Sequence, residues 1–363
     1  MTFDPVADRT LLGTLDTCRL INPGTEASDV SATIQAIGIL TAEQVRAALV
    51  AATAAPSLHN SQPWRFRCGT DGIELYADRS RAVPVADPDH RELTLACGAA
   101  LLNLRLAIKA MGVFPDVRVQ PDRGHPDLLA RIRPGSRRAT TPIDLALANA
   151  IPRRRTNRRP FTHVPVPSPV RHELRQAAEI ERAWLAIVEP AQLPLLRVLV
   201  QKAHEAQLAD PEFQAEWAYW TGRTDHAPDG VHVRSSGPAP EPQDKWAVRD
   251  FGGGRARERV TGKDFEPDPL IAVVGSFSDG VPSWLQAGQA MQRVLLTATA
   301  AGLTASFISQ VTEVPAIRRD LRTLIGGAVW PQTVLRIGYG SPVPPTPRRD
   351  IDDVLDHSGP IST

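Results

Sequence analysis

The 363-residue chain has only three cysteines, Cys18, Cys68 and Cys97, an odd number without CxxC spacing. That excludes a disulfide framework and a cysteine-rich zinc site, and fits a reducing compartment. Net charge is also nearly absent: 41 basic residues against 40 acidic ones leave +1, so no overall field draws the chain to nucleic acid or to a membrane surface. No apolar run approaches the roughly 20 residues of a membrane span. The opening MTFDPVADRT lacks the basic-then-apolar order of a signal peptide. Several catalytic signatures are missing too. Gly252-Gly253-Gly254 does not complete GxGxxG or a phosphate loop, Gly275–Gly280 misses GxSxG, and His204-Glu205 has no HExxH continuation. The expectation is a cytoplasmic globular protein with a large core and about two domains.

What is present is a mixture of helical and strand-like runs. Thr41 and Gln44 form a capping box before the apolar stripe Val45, Leu49 and Ala52. Two short strands, 64–68 and 73–76, flank Thr70-Asp71-Gly72, a hairpin signal. Asp87-Pro88 reads as the cap and first position of a long helix that Gly112 ends, with strands at 117–119 and 128–132. Later strands are expected at 184–189, 270–275, 303–309 and 334–339, with a long helix from Pro282 to Ala301 stopped by Gly302. The class is α+β.

The two long helices align without a gap. Gly98 pairs with Gly288, Ala100 with Ala290, Leu101 with Met291, Ala110 with Ala300 and Gly112 with Gly302. A glycine inside a helix costs about 1 kcal/mol and needs a packing reason. The same glycine in the same register twice points to a duplicated unit whose long helices meet closely. Halves at 1–140 and 141–363 follow, the second interrupted by an excursion over 210–269. That excursion has no sustained period, yet it carries Trp217, Tyr219, Trp220, Trp246 and Phe251. Disordered segments lack such residues, so an ordered, lid-like loop is expected.

Two motifs stand out. Ala55–Phe66, APSLHNSQPWRF, packs polar side chains, two prolines and a tryptophan into twelve residues. Arg153–Phe161 holds five arginines in its first seven residues. That run reads as a phosphate site, since guanidinium groups grip phosphate in bidentate fashion, or as a solvated basic turn. Nucleic acid is disfavoured by the balanced charge and the absence of a second basic stripe.

APSLHNSQPWRF resembles the APSxxNxQPWxF segment of the flavin-dependent nitroreductases. Arg155-Thr156-Asn157-Arg158-Arg159-Pro160-Phe161 resembles their RRSxRxF opening, and Pro331 through LRIGYG to Pro347-Arg348-Arg349 their ending. With its fused halves and long excursion, the chain is most similar to the Acg-like subgroup, over about residues 40–355. The resemblance implies a nitroreductase-like fold with two pseudo-symmetric halves mimicking the family homodimer, and FMN between them. It implies that Arg155, Asn157, Arg159, Arg348 and Arg349 hold the phosphate, Pro56, Ser57 and Asn60 line the ribityl chain and ring, and Ser309 and Gln310 flank the isoalloxazine. Asn157 stands where the family has serine, and Gln310 where it has a small residue. The implied partners are NAD(P)H and a small electron-poor acceptor, a nitro compound or quinone, with no acid, base or nucleophile named. A flavin-holding protein with little turnover is the alternative. Each motif occurs once, so one flavin per monomeric chain is expected, with the mirror-related site filled by side chains. Aromatic residues of the excursion, among them at least one of Trp217, Trp220 and Trp246, are expected near the pocket. Removal of the excursion is expected to leave the fold intact.

Overall fold

A computed structural model describes residues 34–356 except 225, 247 and 260–268. Cys18 lies outside them. The first helix, α1 (Ala42–Thr53), carries the capping box: Thr41 Oγ1 accepts from Gln44 N at 3.2 Å and Gln44 Oε1 accepts from Thr41 N at 3.0 Å. Strands β1 (Trp64–Cys68) and β2 (Ile73–Ala77) form the hairpin, followed by α2 (Arg91–Ala110), β3 (Val113–Val119) and β4 (Leu128–Arg137). Then come α3 (Pro142–Ala150), α4 (Ser168–Ile180), β5 (Trp184–Ile187), α5 (Leu193–Leu208) and α6 (Pro211–Trp220). The chain continues through β6 (Leu270–Ser276), α7 (Val281–Ala300), β7 (Thr304–Phe307), α8 (Gln310–Glu313), α9 (Pro315–Leu324), β8 (Trp330–Gly338) and α10 (Ile351–Val354).

Two four-stranded antiparallel sheets result, ordered β1-β2-β4-β3 and β5-β6-β8-β7. Replacing each strand of the first sheet by the strand four later gives the second, so the fold repeats itself. Between the sheets α2 and α7, both of 20 residues, cross at the paired glycines. A methyl group built on Gly98 would sit on the Leu285 carbonyl oxygen, and one on Gly288 would sit on that of Leu95. Backbone meets backbone at this crossing, which is why both helices tolerate a glycine. Gly112 and Gly302 end their helices at φ 73° and 75°, the left-handed conformation that glycine adopts without strain. Beside the crossing, Asn103 and Gln292, both fully buried, share a hydrogen bond of 2.8 Å.

Several sequence expectations shift: β3 and β4 run longer than 117–119 and 128–132, and β5 and β7 shorter than 184–189 and 303–309. The long helix starts at Arg91 rather than after Asp87-Pro88; Asp87 still caps it, its carboxylate oxygens accepting from Glu92 N and Leu93 N at 2.9 Å each. In length and apolarity α2 alone among the described helices could cross a membrane, but it is the buried core helix.

The excursion is built into the body. Glu216 on α6 accepts from Val85 N and Ala86 N at 3.0 and 2.8 Å, and Trp220 is buried against Val83 and Ala86. Trp246 is buried in the core of the second sheet, and Arg249 pairs with the buried Glu313 of α8. Excising 210–269 would therefore strip a core tryptophan and strand a buried carboxylate. These contacts argue against the expectation that the fold survives its removal.

Candidate functional site

The APSLHNSQPWRF segment turns sharply: His59, Asn60 and Gln62 sit at φ 49°, 60° and 54°. Left-handed backbone outside glycine is costly, on the order of 1 kcal/mol or more per residue. The segment's own polar groups offset that. Ser57 Oγ accepts from Gln62 N at 2.9 Å. Asn60 donates to the Pro347 carbonyl at 3.2 Å and accepts from Arg348 Nη1 at 2.9 Å. Gln62 accepts from Arg349 N at 2.9 Å and donates to the Pro228 carbonyl at 2.8 Å. Trp64 is fully buried. Asn60 and Gln62 thus fasten the C-terminal segment and the excursion, leaving Pro56 to His59 to face inward.

They face a cavity of about 60 Å³. Its other walls are Glu92, Leu95 and Ala96 of α2, Met291 of α7, Ser306, Phe307 and Ser309 around β7, Thr156 and Arg158 of the arginine run, and Phe251 of the excursion. Both halves and the excursion contribute.

Of the expected site residues, Pro56, Ser57 and Ser309 line this cavity; Asn60 and Gln310 do not. Asn60 is tied to Pro347 and Arg348. Gln310, buried at the start of α8, lines a neighbouring pocket with Arg249 and Arg336. The arginine run is shifted by one residue from the expectation. Thr156 bridges Ala305 of β7, with Asn157 N donating to the Ala305 carbonyl at 2.8 Å. In such extended chain alternate side chains face opposite ways, and Thr156 and Arg158 take the cavity side. Asn157 instead donates to the Ser341 carbonyl at 2.9 Å and accepts from Arg159 N at 3.0 Å, and Arg159 reaches the Pro342 carbonyl at 3.3 Å. Both are committed to the C-terminal segment.

A second group of cations comprises Arg154, Arg155 and Arg348. The Arg154 guanidinium is buried, and its Nε and Nη1 have no hydrogen-bond partner among the described residues. Burial first, then the charges of Arg348 and Arg155, push it down to about 9. Burial and Arg155 push Arg348 to about 10, although it donates to the Thr53 and Ala55 carbonyls at the end of α1 at 2.9 and 3.2 Å. Arg155 is half-buried and also lowered by burial. No carboxylate among the described residues pairs with any of the three. Arg349 differs: its guanidinium lies 3.8 Å from Asp78 and donates to the Asp353 carbonyl.

Of four further cavity residues, His59, Arg158 and Phe251 lie in segments the sequence had singled out, and Glu92 carried no sequence signal. Burial chiefly, then Arg249 and Arg158 against an opposing Glu313, hold His59 near a pKa of about 3, so it is neutral. Burial raises Glu92 to about 7, with Asp87 and Glu313 adding and Arg91 opposing. Burial takes Arg158 down to about 10, with Arg336 adding to it; its guanidinium lies 4.2 Å from the Phe251 ring centre. Phe251 in turn packs on Trp217 at 4.8 Å, and Trp217 meets His59 edge-on at 5.1 Å. Trp217 is the excursion tryptophan beside the cavity.

The mirror-related position is not filled. Applying the Gly98–Gly288 register to the cavity walls leads to Pro282, Gln286, Val117 and Val119. These line an open cleft of about 500 Å³ with Arg105, Lys109, Phe114 and Arg182. Two of its cations are paired: Arg105 with Glu181 at 2.7 Å and Lys109 with Asp144 at 3.2 Å.

No family model matches the chain. Among curated proteins it is 34% identical to Rv3131 of Mycobacterium tuberculosis, provisionally named an NAD(P)H nitroreductase, over 87% of this chain and 92% of that one. It is 31% identical to the same organism's acg protein, provisionally named likewise, over 87% and 96%. A solved nitroreductase from Anabaena variabilis overlaps 83% of the chain and 88% of its own length, at 10% identity and a TM-score of 0.45, too loose a likeness to argue from. On the two mycobacterial relatives, the chain belongs to the NAD(P)H nitroreductase family, in its Acg-like branch.

Proposed function

We propose that the protein binds one FMN per chain between its two halves, 1–140 and 141–363. It then passes hydride from NAD(P)H to an electron-poor acceptor such as a quinone or nitro compound. The observation that carries the reading is Arg154: a buried guanidinium with two unpartnered nitrogens, beside Arg155 and Arg348 and without a carboxylate. Buried charges are paired or costly, and a phosphate dianion is the partner this donor set suits. The names of the mycobacterial relatives support the nicotinamide as donor.

The flavin, when bound, supplies the hydride chemistry; the chain supplies position and dryness. Arg154, Arg155 and Arg348 hold the phosphate, while Asn60 keeps Arg348 oriented. Pro56, Ser57 and Leu58 form one wall of the ring site and Ser306 to Ser309 the other. Leu95, Ala96 and Met291 exclude water from the floor. Each donor set occurs once, so a single chain completes the site and the α2–α7 crossing takes the place of a dimer interface.

A free space of about 60 Å³ is far below the roughly 300–1,000 Å³ of ordinary ligand sites. A three-ring flavin enters only when Phe251 and Arg158 swing aside. That cover also favours the second reading, a protein that holds its flavin closed and turns over little. An absorption spectrum followed anaerobically after adding NADPH separates the two. Flavin bands that bleach support the reductase, bands that persist support the holder, and no bands after incubation with FMN sink both.

A further inference from the structure

We infer that Glu92 is the acid of the cavity, delivering the proton that accompanies hydride transfer to an oxygen-bearing acceptor, a quinone in the first instance. The inference rests on the proposed reductase reading. Among the described residues, Glu92 is the one carboxyl group in the cavity wall. It sits in the first turn of α2, where Asp87 fixes its backbone amide at 2.9 Å. One carboxyl oxygen accepts from Arg91 Nη2 at 2.6 Å and lies 3.5 Å from Thr312 Oγ1. The other makes no hydrogen bond among the described residues. A carboxyl clamped by one oxygen, with the second free beside the cavity, is placed to hold a proton and give it up.

Burial first, and then the charges around it, set the proton affinity of Glu92. Arg91 favours the carboxylate, whereas burial, Asp87 and Glu313 favour the acid, so that both forms are populated near neutral pH. Arg158 and His59 also line the cavity. Neither competes as the acid, because Arg158 stays charged at neutral pH and His59 stays neutral. A general acid works best with its pKa near the working pH.

The step balances. A quinone takes two electrons and one proton as hydride originating from NAD(P)H. The second proton comes from the Glu92 O–H bond, whose electron pair remains on the carboxylate. A new O–H bond forms on the acceptor, giving the hydroquinone, and a solvent proton restores the acid.

The test uses the full FMN-loaded chain with menadione as acceptor. In the parent, quinone reduction should decline above about pH 7, and an infrared titration should show a protonated carboxyl band disappearing over the same range. Glu92→Gln should lose that band, flatten the pH limb and slow quinone reduction by roughly 10²-fold or more. In the gentler Asp87→Asn, which keeps a capping oxygen, both the band and the limb should move to lower pH. An unchanged limb and a rate within threefold in Glu92→Gln, or an unmoved band in Asp87→Asn, overturns the assignment while the reductase reading stands. A parent whose flavin is not bleached by NADPH takes both down.

Discussion

Replacing Arg154 by methionine should move two measurements in opposite directions. The residue is 5% exposed and its guanidinium is pushed down from the ordinary arginine range to about 9, chiefly by burial. At about 1.4 kcal/mol per tenfold change in acidity, holding that charge in the ligand-free protein costs roughly 5 kcal/mol at most; relaxation and water entry bring this to a few. A lowered arginine is a penalty present at every pH below about 9 and relieved only above it. Arg154→Met keeps the side-chain length and removes the charge. Ligand-free protein should therefore melt several degrees higher at pH 7. FMN should bind about 10- to 100-fold more weakly, from losing a charge-assisted contact of about 1.5–3 kcal/mol. Riboflavin, which has no phosphate, should bind parent and variant alike. Calorimetry of the ligand-free proteins and fluorescence titration with both flavins supply the numbers. A lower melting temperature, or an equal loss of FMN and riboflavin, would refute the phosphate assignment.

Arg249→Met strands the Glu313 carboxylate, which Arg249 holds down to about 2 against burial; thermal melting should show a loss of about 3–5 kcal/mol, and iodide should quench bound flavin more readily. Gly288→Ala places a methyl against the Leu95 carbonyl and should lower the melting temperature by several degrees, whereas an unchanged melt would mean the helices do not meet there. His59 protonates at about 6.5 unfolded but near 3 folded, so stability should fall as pH drops from 6.5 towards 3. In urea titrations at pH 7 and 4.5, His59→Asn, which tolerates the left-handed backbone, should lose less stability over that interval than the parent.

Most of the architecture was legible because local rules agree with the tertiary result. The capping box, the Asp71-Gly72 hairpin and the paired helix glycines each carry their reason in the residues themselves. The site was legible less finely. A run of five arginines fits a motif in either of two adjacent registers, and the choice of Thr156 and Arg158 over Asn157 and Arg159 comes from the Ala305 bridge, a contact about 150 residues away in sequence. Glu92 looks like any first-turn helix acid, and its setting depends on Thr312 and Glu313 arriving from about 220 residues away. The polar residues of APSLHNSQPWRF drew attention as ligand contacts, yet Asn60 and Gln62 spend their hydrogen bonds on Pro347, Arg348, Arg349 and Pro228. The open mirror cleft was not legible because nothing in a sequence pattern records an unfilled volume.

On the reading proposed above, one cavity built by both halves of one chain takes one flavin. Titrating the full chain with FMN while its mass is followed by sedimentation tests that most directly. Saturation at one FMN per chain, with the mass of a single chain, is the predicted result. Two flavins per chain would mean that the open cleft beside Phe114 is a second flavin site, and a site that fills only when two chains associate would mean that the halves do not complete it alone. Either result contradicts the account.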